Sequence, residues 1–70
     1  MELEWMDDFC IKVRAEQGSA TIEANKDGLL SLAAQLTALA QERPGAHIHY
    51  DSGNSLEEGS AELVIALLND

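Results

Sequence analysis

The sequence predicts an α+β fold of two layers, in which one amphipathic helix covers one face of a four-stranded, mainly antiparallel sheet in the order ββαββ. Three patterns support it: two alternating runs before residue 26, a Leu/Ala stripe at helical spacing after it, and two apolar runs beyond Pro44. The chain has 70 residues, which leaves no room for a second hydrophobic core. We therefore expect residues 1–70 to form a single domain.

The first alternating run begins at Ile11. Apolar and polar residues alternate from there to Glu16, the period of two expected of a strand with one buried face. A second run alternates over residues 20–25, and Gly18 lies in the short connection. This arrangement predicts a β-hairpin. Residues 1–9 show no clear period, and a frayed lead-in and a short edge strand describe them equally well.

A helical period replaces the alternation after Asn25. Leucines follow at spacings of three, four and three residues, which predicts an amphipathic helix over residues 26–42. Asn25 is the predicted N-cap, and Pro44 and Gly45 end the helix. The stripe that we expect to face the sheet consists of Leu29, Leu32, Ala33, Leu36, Leu39 and Ala40.

Two runs after Pro44 predict the remaining strands. Residues 46–51 alternate, whereas residues 62–68 are apolar on both faces, which is typical of a strand inside a sheet or under a second chain. We expect the strand order 1-2-4-3, with 2-1-3-4 as the alternative. The face away from the helix would then carry an apolar strip. Either residues 1–9 or a second copy in a homodimer would cover this strip, which consists of Val64, Ala66 and Leu68.

The charge of the chain excludes several classes of partner. Thirteen acidic residues against four basic ones give a formal net charge of −9. A nucleic-acid binder needs clustered Lys and Arg to neutralise phosphates, and an anionic membrane surface repels an acidic chain. No apolar run approaches the ~20 residues of a membrane helix, and no secretory signal is evident. The single cysteine, Cys10, cannot form an internal disulfide, so we expect a cytoplasmic location.

The sequence contains few candidates for metal ligands or catalytic residues. His47, His49 and Asp51 alternate on one predicted strand and therefore share a face, which invites comparison with a zinc site. Neighbouring residues on one face of a strand lie about 6–7 Å apart, however, and no fourth ligand is evident. No serine lies in a nucleophile-elbow pattern, and no base neighbours Cys10 in the sequence. We therefore expect no metal, no other cofactor, no catalytic residue and no enzymatic activity.

The loop over residues 51–62 is the most unusual stretch of the chain. It contains two glycines and one large apolar residue, Leu56. It is long for a hairpin connection, and long loops in compact domains often bind a partner. Its acidic residues are Asp51, Glu57, Glu58 and Glu62.

Three stretches carry a family resemblance that spans about residues 22–67. They are the helix over residues 28–40, the His-x-His-x-Asp strand over residues 44–51, and residues 56–65, which begin Leu-Glu-Glu-Gly-Ser. Together they resemble the immunity protein family numbered thirty-two of bacterial polymorphic toxin systems. The histidine motif followed by Leu-Glu-Glu-Gly-Ser is the specific part, because any amphipathic Leu/Ala helix is similar to the first stretch.

The resemblance implies a small cytosolic protein that binds a cognate bacterial toxin and neutralises it by covering its active surface. The charge agrees, because a nuclease toxin holds a polyanionic substrate on a basic cleft, which an acidic protein can occupy. The alternative is a non-enzymatic homodimeric structural or regulatory domain that pairs through the exposed sheet face. The residues that we expect to bind the partner are His47, His49, Asp51, Glu57, Glu58 and Glu62.

Overall fold

The computed structural model describes residues 1–69 and has the predicted order of two strands, one helix and two strands. The α+β class and the ββαββ order are therefore confirmed. The elements are β1 (Ile11–Glu16), β2 (Ser19–Ala24), α1 (Lys26–Ala40), β3 (His47–Tyr50) and β4 (Leu63–Ala66).

β1 and β2 form the predicted antiparallel hairpin, with Ile11 opposite Ala24 at its base and Glu16 opposite Ser19 at its turn. Gly18 in the turn has a φ of +79°, a left-handed conformation that costs glycine no steric strain. Every residue over 14–23 is exposed. The half of the hairpin nearest the turn therefore adds little to the core.

The start of α1 is fixed to the base of this hairpin. Asn25 is the N-cap as predicted, and its Oδ1 accepts hydrogen bonds from the backbone N–H of Gly28 at 2.7 Å and of Cys10 at 3.0 Å. A Cβ added at Gly28 would lie 2.7 Å from the carbonyl oxygen of Cys10 and 2.9 Å from Cγ1 of Ile11. Glycine at this position therefore lets the first helical turn lie directly on the hairpin.

The buried face of α1 differs from the predicted leucine stripe. Leu32 and Leu39 are buried as expected, but Leu29 and Leu36 are 54% and 43% exposed. Ala33 and Ala40, the alanines of the predicted stripe, are exposed as well. The face is rotated because two polar residues on its other side find hydrogen-bond partners in the interior. The buried residues of α1 are Gly28, Ser31, Leu32, Gln35 and Leu39.

Residues 1–9 provide some of these partners. The backbone N–H of Met6 donates to Oγ of Ser31 at 2.8 Å, and Nε2 of Gln35 donates to the carbonyl oxygen of Glu4 at 2.7 Å. Trp5 lies edge-on to the ring of Tyr50, with 6.3 Å between the ring centroids. Residues 1–9 form no strand, and the segment packs against the helix and the core instead of the outer face of the strands.

The predicted single four-stranded sheet, in either strand order, is not found among residues 1–69. The strands form two separate antiparallel pairs, β1 with β2 and β3 with β4. The chain before β4 nevertheless follows β1, because the N–H groups of Glu57 and Ala61 donate to the carbonyls of Ile11 and Val13 at 2.8 Å. Between these two hydrogen bonds, the Val13 N–H donates to the side-chain Oγ of Ser60 and not to a backbone carbonyl. A side-chain acceptor at this point interrupts the backbone ladder that would join the two strand pairs.

The core lies between α1 and the inner faces of the strands. Tyr50 and Ile11 are fully buried, and the Tyr50 hydroxyl donates to Oε1 of Gln35 at 2.7 Å. Every buried side-chain nitrogen or oxygen in the described part of the chain has a hydrogen-bond partner. The buried apolar residues are Ile11, Val13, Leu32, Leu39, Ile48, Tyr50 and Leu56.

Candidate functional site

The two candidate histidines lie on the outer face of β3, away from the core. His47 and His49 are exposed, whereas Ile48 and Tyr50, which alternate with them, are buried. The two imidazole rings are edge-to-face with 4.9 Å between their centroids, and Nδ1 of His47 lies 3.3 Å from the carbonyl oxygen of Gly45. Both rings are therefore accessible to a partner.

An apolar strip of β4 lies beside the histidines. His49 is opposite Val64 and His47 is opposite Ala66 in the antiparallel register. Val64 is 47% exposed, and Leu68, beyond the end of β4, is 78% exposed. The outer face of this strand pair is therefore a mixed surface of imidazole and aliphatic groups. It carries the apolar strip that the sequence predicts, uncovered by the described residues.

Asp51 shapes the loop that follows β3. Its Oδ1 accepts from the N–H of Gly53 at 2.8 Å, and its carbonyl oxygen accepts from the N–H groups of Asn54, Ser55 and Leu56 at 2.9–3.2 Å. The side chain is half-buried. Asp51 therefore holds a compact turn, and its carboxylate has less freedom to meet a partner than the glutamates further along.

Leu56 anchors the same loop in the core. It is 5% exposed, although it is the one apolar side chain between Asp51 and Gly59. The turn before it and the hydrogen bond from Glu57 N–H to β1 after it hold the backbone on both sides. A loop that looks solvated by composition is therefore fixed at its centre.

Glu57, Glu58 and Glu62 follow this anchor, and all three are exposed. Nζ of Lys12 donates to the backbone carbonyl oxygen of Glu58 at 2.7 Å. The Glu58 carboxylate itself is not bonded to this ammonium. Glu62 lies directly after Ala61, which is hydrogen-bonded to Val13. We refer to Asp51, Glu57, Glu58 and Glu62 together as the acidic edge.

The acidic edge and the histidines are neighbours along the chain's path but do not converge on one point. Asp51 comes two residues after His49, and Glu62 two residues before Val64, so the two carboxylates lie at the same end of the β3–β4 pair. Four residues of strand, about 13 Å, separate His47 from Asp51. The arrangement is an extended strip, which suits contact with a surface better than capture of a small ion.

The carboxylates of the acidic edge are not neutralised by ion pairs within residues 1–69. The one ion pair found there joins Nε of Arg14 to Oε1 of Glu23 at 2.7 Å, on the exposed face of the hairpin. Lys12, the other cation of β1, bonds to a carbonyl. The negative potential of the acidic edge is therefore directed at solvent.

Side chains placed to bind a metal ion, or an enclosed pocket, would indicate a chemical site within residues 1–69. No three His, Cys, Asp or Glu side chains within residues 1–69 are placed to hold a metal ion, and His47, His49 and Asp51 do not converge on one. Open grooves lie beside the hairpin turn and between β1 and residues 59–61. Cys10 is exposed.

Sequence reasoning missed two of the three residues that build this region, Gln35 and Leu56, whereas the alternation over residues 46–51 already placed Tyr50 opposite the exposed face. Tyr50, Gln35 and Leu56 are buried and fix the end of β3, the helix and the loop to one another. Leu56 carried a signal, since a lone leucine in a polar loop often marks an anchor. Gln35 carried none, because a polar residue at an interior helix position is visible only once its partners are known.

Comparison with known proteins shows the family of this chain. The model of the family Immunity protein 32 matches residues 19–68, which confirms the resemblance seen over residues 22–67. No curated protein and no solved structure matches the chain significantly. Among residues 1–69, no helix has the length and apolar character that a bilayer span requires. Since the match covers well over half of the 70 residues, the chain belongs to the Immunity protein 32 family.

Proposed function

We propose that this protein is a non-enzymatic immunity protein that acts in the bacterial cytoplasm, where it binds a cognate toxin and covers the toxin's active surface. The acidic edge and the neighbouring His47 and His49 form the contact surface in this proposal. Family membership supports the immunity role in general. The choice of surface rests on the exposure of these residues, of which Asp51 alone is half-buried.

The observation that carries the proposal is a set of exposed, unpaired carboxylates on a fixed backbone. The backbone around Glu57 and Glu58 is held by the Leu56 anchor, by hydrogen bonds to β1 and by Lys12. A partner that binds there does not have to order a flexible loop, so less conformational entropy opposes binding. The charge also accelerates encounter with a basic partner.

A basic nuclease is the toxin class that this surface fits. Such an enzyme holds a polyanion on a cleft lined with Lys and Arg, and Glu57, Glu58 and Glu62 present three exposed carboxylates close together along the chain. His47 and His49 add hydrogen-bonding rings beside an aliphatic strip. A surface of this kind combines a charged rim with an apolar patch.

The homodimeric module remains the second candidate, and the exposure of the outer face favours it. Val64 and Leu68 are 47% and 78% exposed on the face that such a dimer would cover. A face-to-face dimer would bury His47 and His49 as well. Toxin binding and this form of dimer would therefore exclude each other, which a competition experiment detects.

The decisive experiment measures protection and binding with charge-reversed variants. We expect Glu57→Lys combined with Glu58→Lys to abolish protection of cells that express the cognate toxin. Binding of the purified toxin domain to the unaltered protein is expected to weaken steeply as salt is raised from about 50 to 500 mM, because screening shortens the range of the interaction.

The matched control changes the same net charge elsewhere. Glu2→Lys combined with Glu42→Lys alters two exposed glutamates outside the acidic edge and is expected to retain protection. Equal loss of protection in both double variants would mean that net charge, and not this surface, matters. Binding that is insensitive to salt and to Glu57→Lys/Glu58→Lys would refute the proposed contact surface.

A further inference from the structure

β2 is an edge strand whose outer backbone groups are unpaired. Asn25 N–H donates to the Cys10 carbonyl across the hairpin. Because alternate residues of an antiparallel pair direct their backbone groups to opposite edges, the N–H and C=O groups of Ala20, Ile22 and Ala24 point away from β1. β2 pairs with β1 alone among the strands of residues 1–69. Three N–H donors and three carbonyl acceptors are therefore presented along one free edge.

This edge lacks the features that usually prevent strands from pairing between molecules. β2 reads Ser-Ala-Thr-Ile-Glu-Ala and holds no lysine, no proline and no bulge. Ile22 is 43% exposed. The one charged side chain, Glu23, is paired with Arg14. The edge is thus nearly neutral in a chain of net charge −9.

The edge of β3 is a poorer place for two copies to pair. β3 has four residues against the six of β2, so two copies joined through β3 would share fewer backbone hydrogen bonds. Pairing of two copies through their strand edges therefore favours β2.

We propose that β2 pairs antiparallel with β2 of a second copy of this chain, around a two-fold axis at Ile22. This register is self-complementary, as a two-fold interface requires. Ala20 then lies opposite Ala24 of the second copy, and Thr21 opposite its Glu23, so that the Thr21 hydroxyl is placed to donate to a carboxylate. No like charges are placed opposite each other.

The resulting dimer is weak and strengthened by salt. One six-residue strand on each copy is a small contact beside the roughly 1,200–2,000 Å² of a stable interface, and two copies of net charge −9 repel each other. The pairing uses neither the acidic edge nor His47 and His49. It is therefore independent of the proposed toxin contact, and each copy of the dimer keeps that contact open.

Sedimentation equilibrium tests the dimer and its location. We expect the unaltered protein to shift from monomer toward dimer as its concentration rises from about 10 μM to 1 mM in 0.5 M salt. Ile22→Lys, which places two lysines on the axis, is expected to raise the dimer Kd at least about tenfold. Val64→Lys, an equally exposed residue on β4, is the matched control and should leave the Kd unchanged.

Disulfide trapping tests the register. In a Cys10→Ser background, Ile22→Cys sets two thiols on the axis, where Cα atoms of a hydrogen-bonded pair lie about 5.5 Å apart, within reach of a disulfide. We expect this variant to cross-link under mild oxidation much faster than His49→Cys. A protein that stays monomeric to 1 mM, a dimer broken by Val64→Lys instead of Ile22→Lys, or faster cross-linking through His49→Cys would each overturn the proposal. Circular dichroism melting confirms that every variant is folded.

Discussion

On one flank of α1 polar side chains are buried, whereas on the opposite flank leucine side chains are exposed. On one flank Ser31 and Gln35 are 0% and 1% exposed, while on the other Leu29 and Leu36 are 54% and 43% exposed. The difference arises from neighbours: residues 1–9 and Tyr50 bring hydrogen-bonding groups to the first flank. A buried polar side chain costs little when it is paired, so the available partners decide which flank faces inward.

The largest effect expected from this comparison is on leucines of the same helix. Leu32→Ala should lower the free energy of unfolding by about 2–5 kcal/mol, because it opens a cavity beside the core. Leu36→Ala should lower it by less than about 1 kcal/mol, because the side chain is already in contact with water. Urea unfolding monitored by Trp5 fluorescence measures both. Equal losses would show that the two flanks are buried alike.

The next effect concerns the polar flank. Gln35→Ala leaves the Tyr50 hydroxyl and the Glu4 carbonyl without partners and should cost about 1–3 kcal/mol. Gln17→Ala, in the exposed hairpin turn, is the control and should stay within about 0.5 kcal/mol of the unaltered protein. A stability of Gln35→Ala equal to that of the control would mean that this hydrogen-bond chain contributes nothing.

The smallest effect is a pH dependence at the end of the same chain of hydrogen bonds. Burial raises the pKa of Tyr50 above its ordinary value of 10.0, because the phenolate would lose its hydration. The folded state then holds this proton more tightly than the unfolded state. Its contribution to stability is complete below pH 10 and is lost as the pH rises through the higher folded-state pKa.

Tyr50 is the single tyrosine of the chain, so the change in absorbance at 295 nm with pH reports its ionisation, on a constant background from Trp5. We expect its midpoint to lie above pH 10 in the folded protein and to return toward 10 in urea. Tyr50→Phe should lose less stability than the unaltered protein between pH 9 and 11. A midpoint at or below 10 in the folded state would contradict the burial of this hydroxyl.

Local patterns predicted the elements well, and pairing between elements less well. The hairpin and the Asn25 cap depend on residues close in sequence, and both are confirmed. The single sheet failed at Ser60, whose hydroxyl takes the place of a backbone acceptor beside Val13. Nothing in the pattern of residues 56–62 shows where a side chain will replace the ladder.

In the candidate site, too, features that depend on local sequence were predicted, whereas features that depend on distant contacts were not. That His47 and His49 share an exposed face follows from strand alternation and is observed. That Asp51 bends the loop inward, and that Leu56 anchors it, depends on contacts with distant residues. Exposure of Glu57 and Glu58 was expected of a charged loop, but the fixed backbone beneath them was not.

The bond from Lys12 to the Glu58 carbonyl has a consequence for how this protein behaves in mixed electrolytes. The Lys12 ammonium keeps its one positive charge but lies beside several carboxylates, so most of their compensation comes from ions in solution. In the contact proposed above, sodium would compensate this charge loosely, whereas magnesium or a polyamine such as spermidine would compete with the basic partner. The ionic make-up of the cell, and not its total strength alone, would then set how readily the partner is captured.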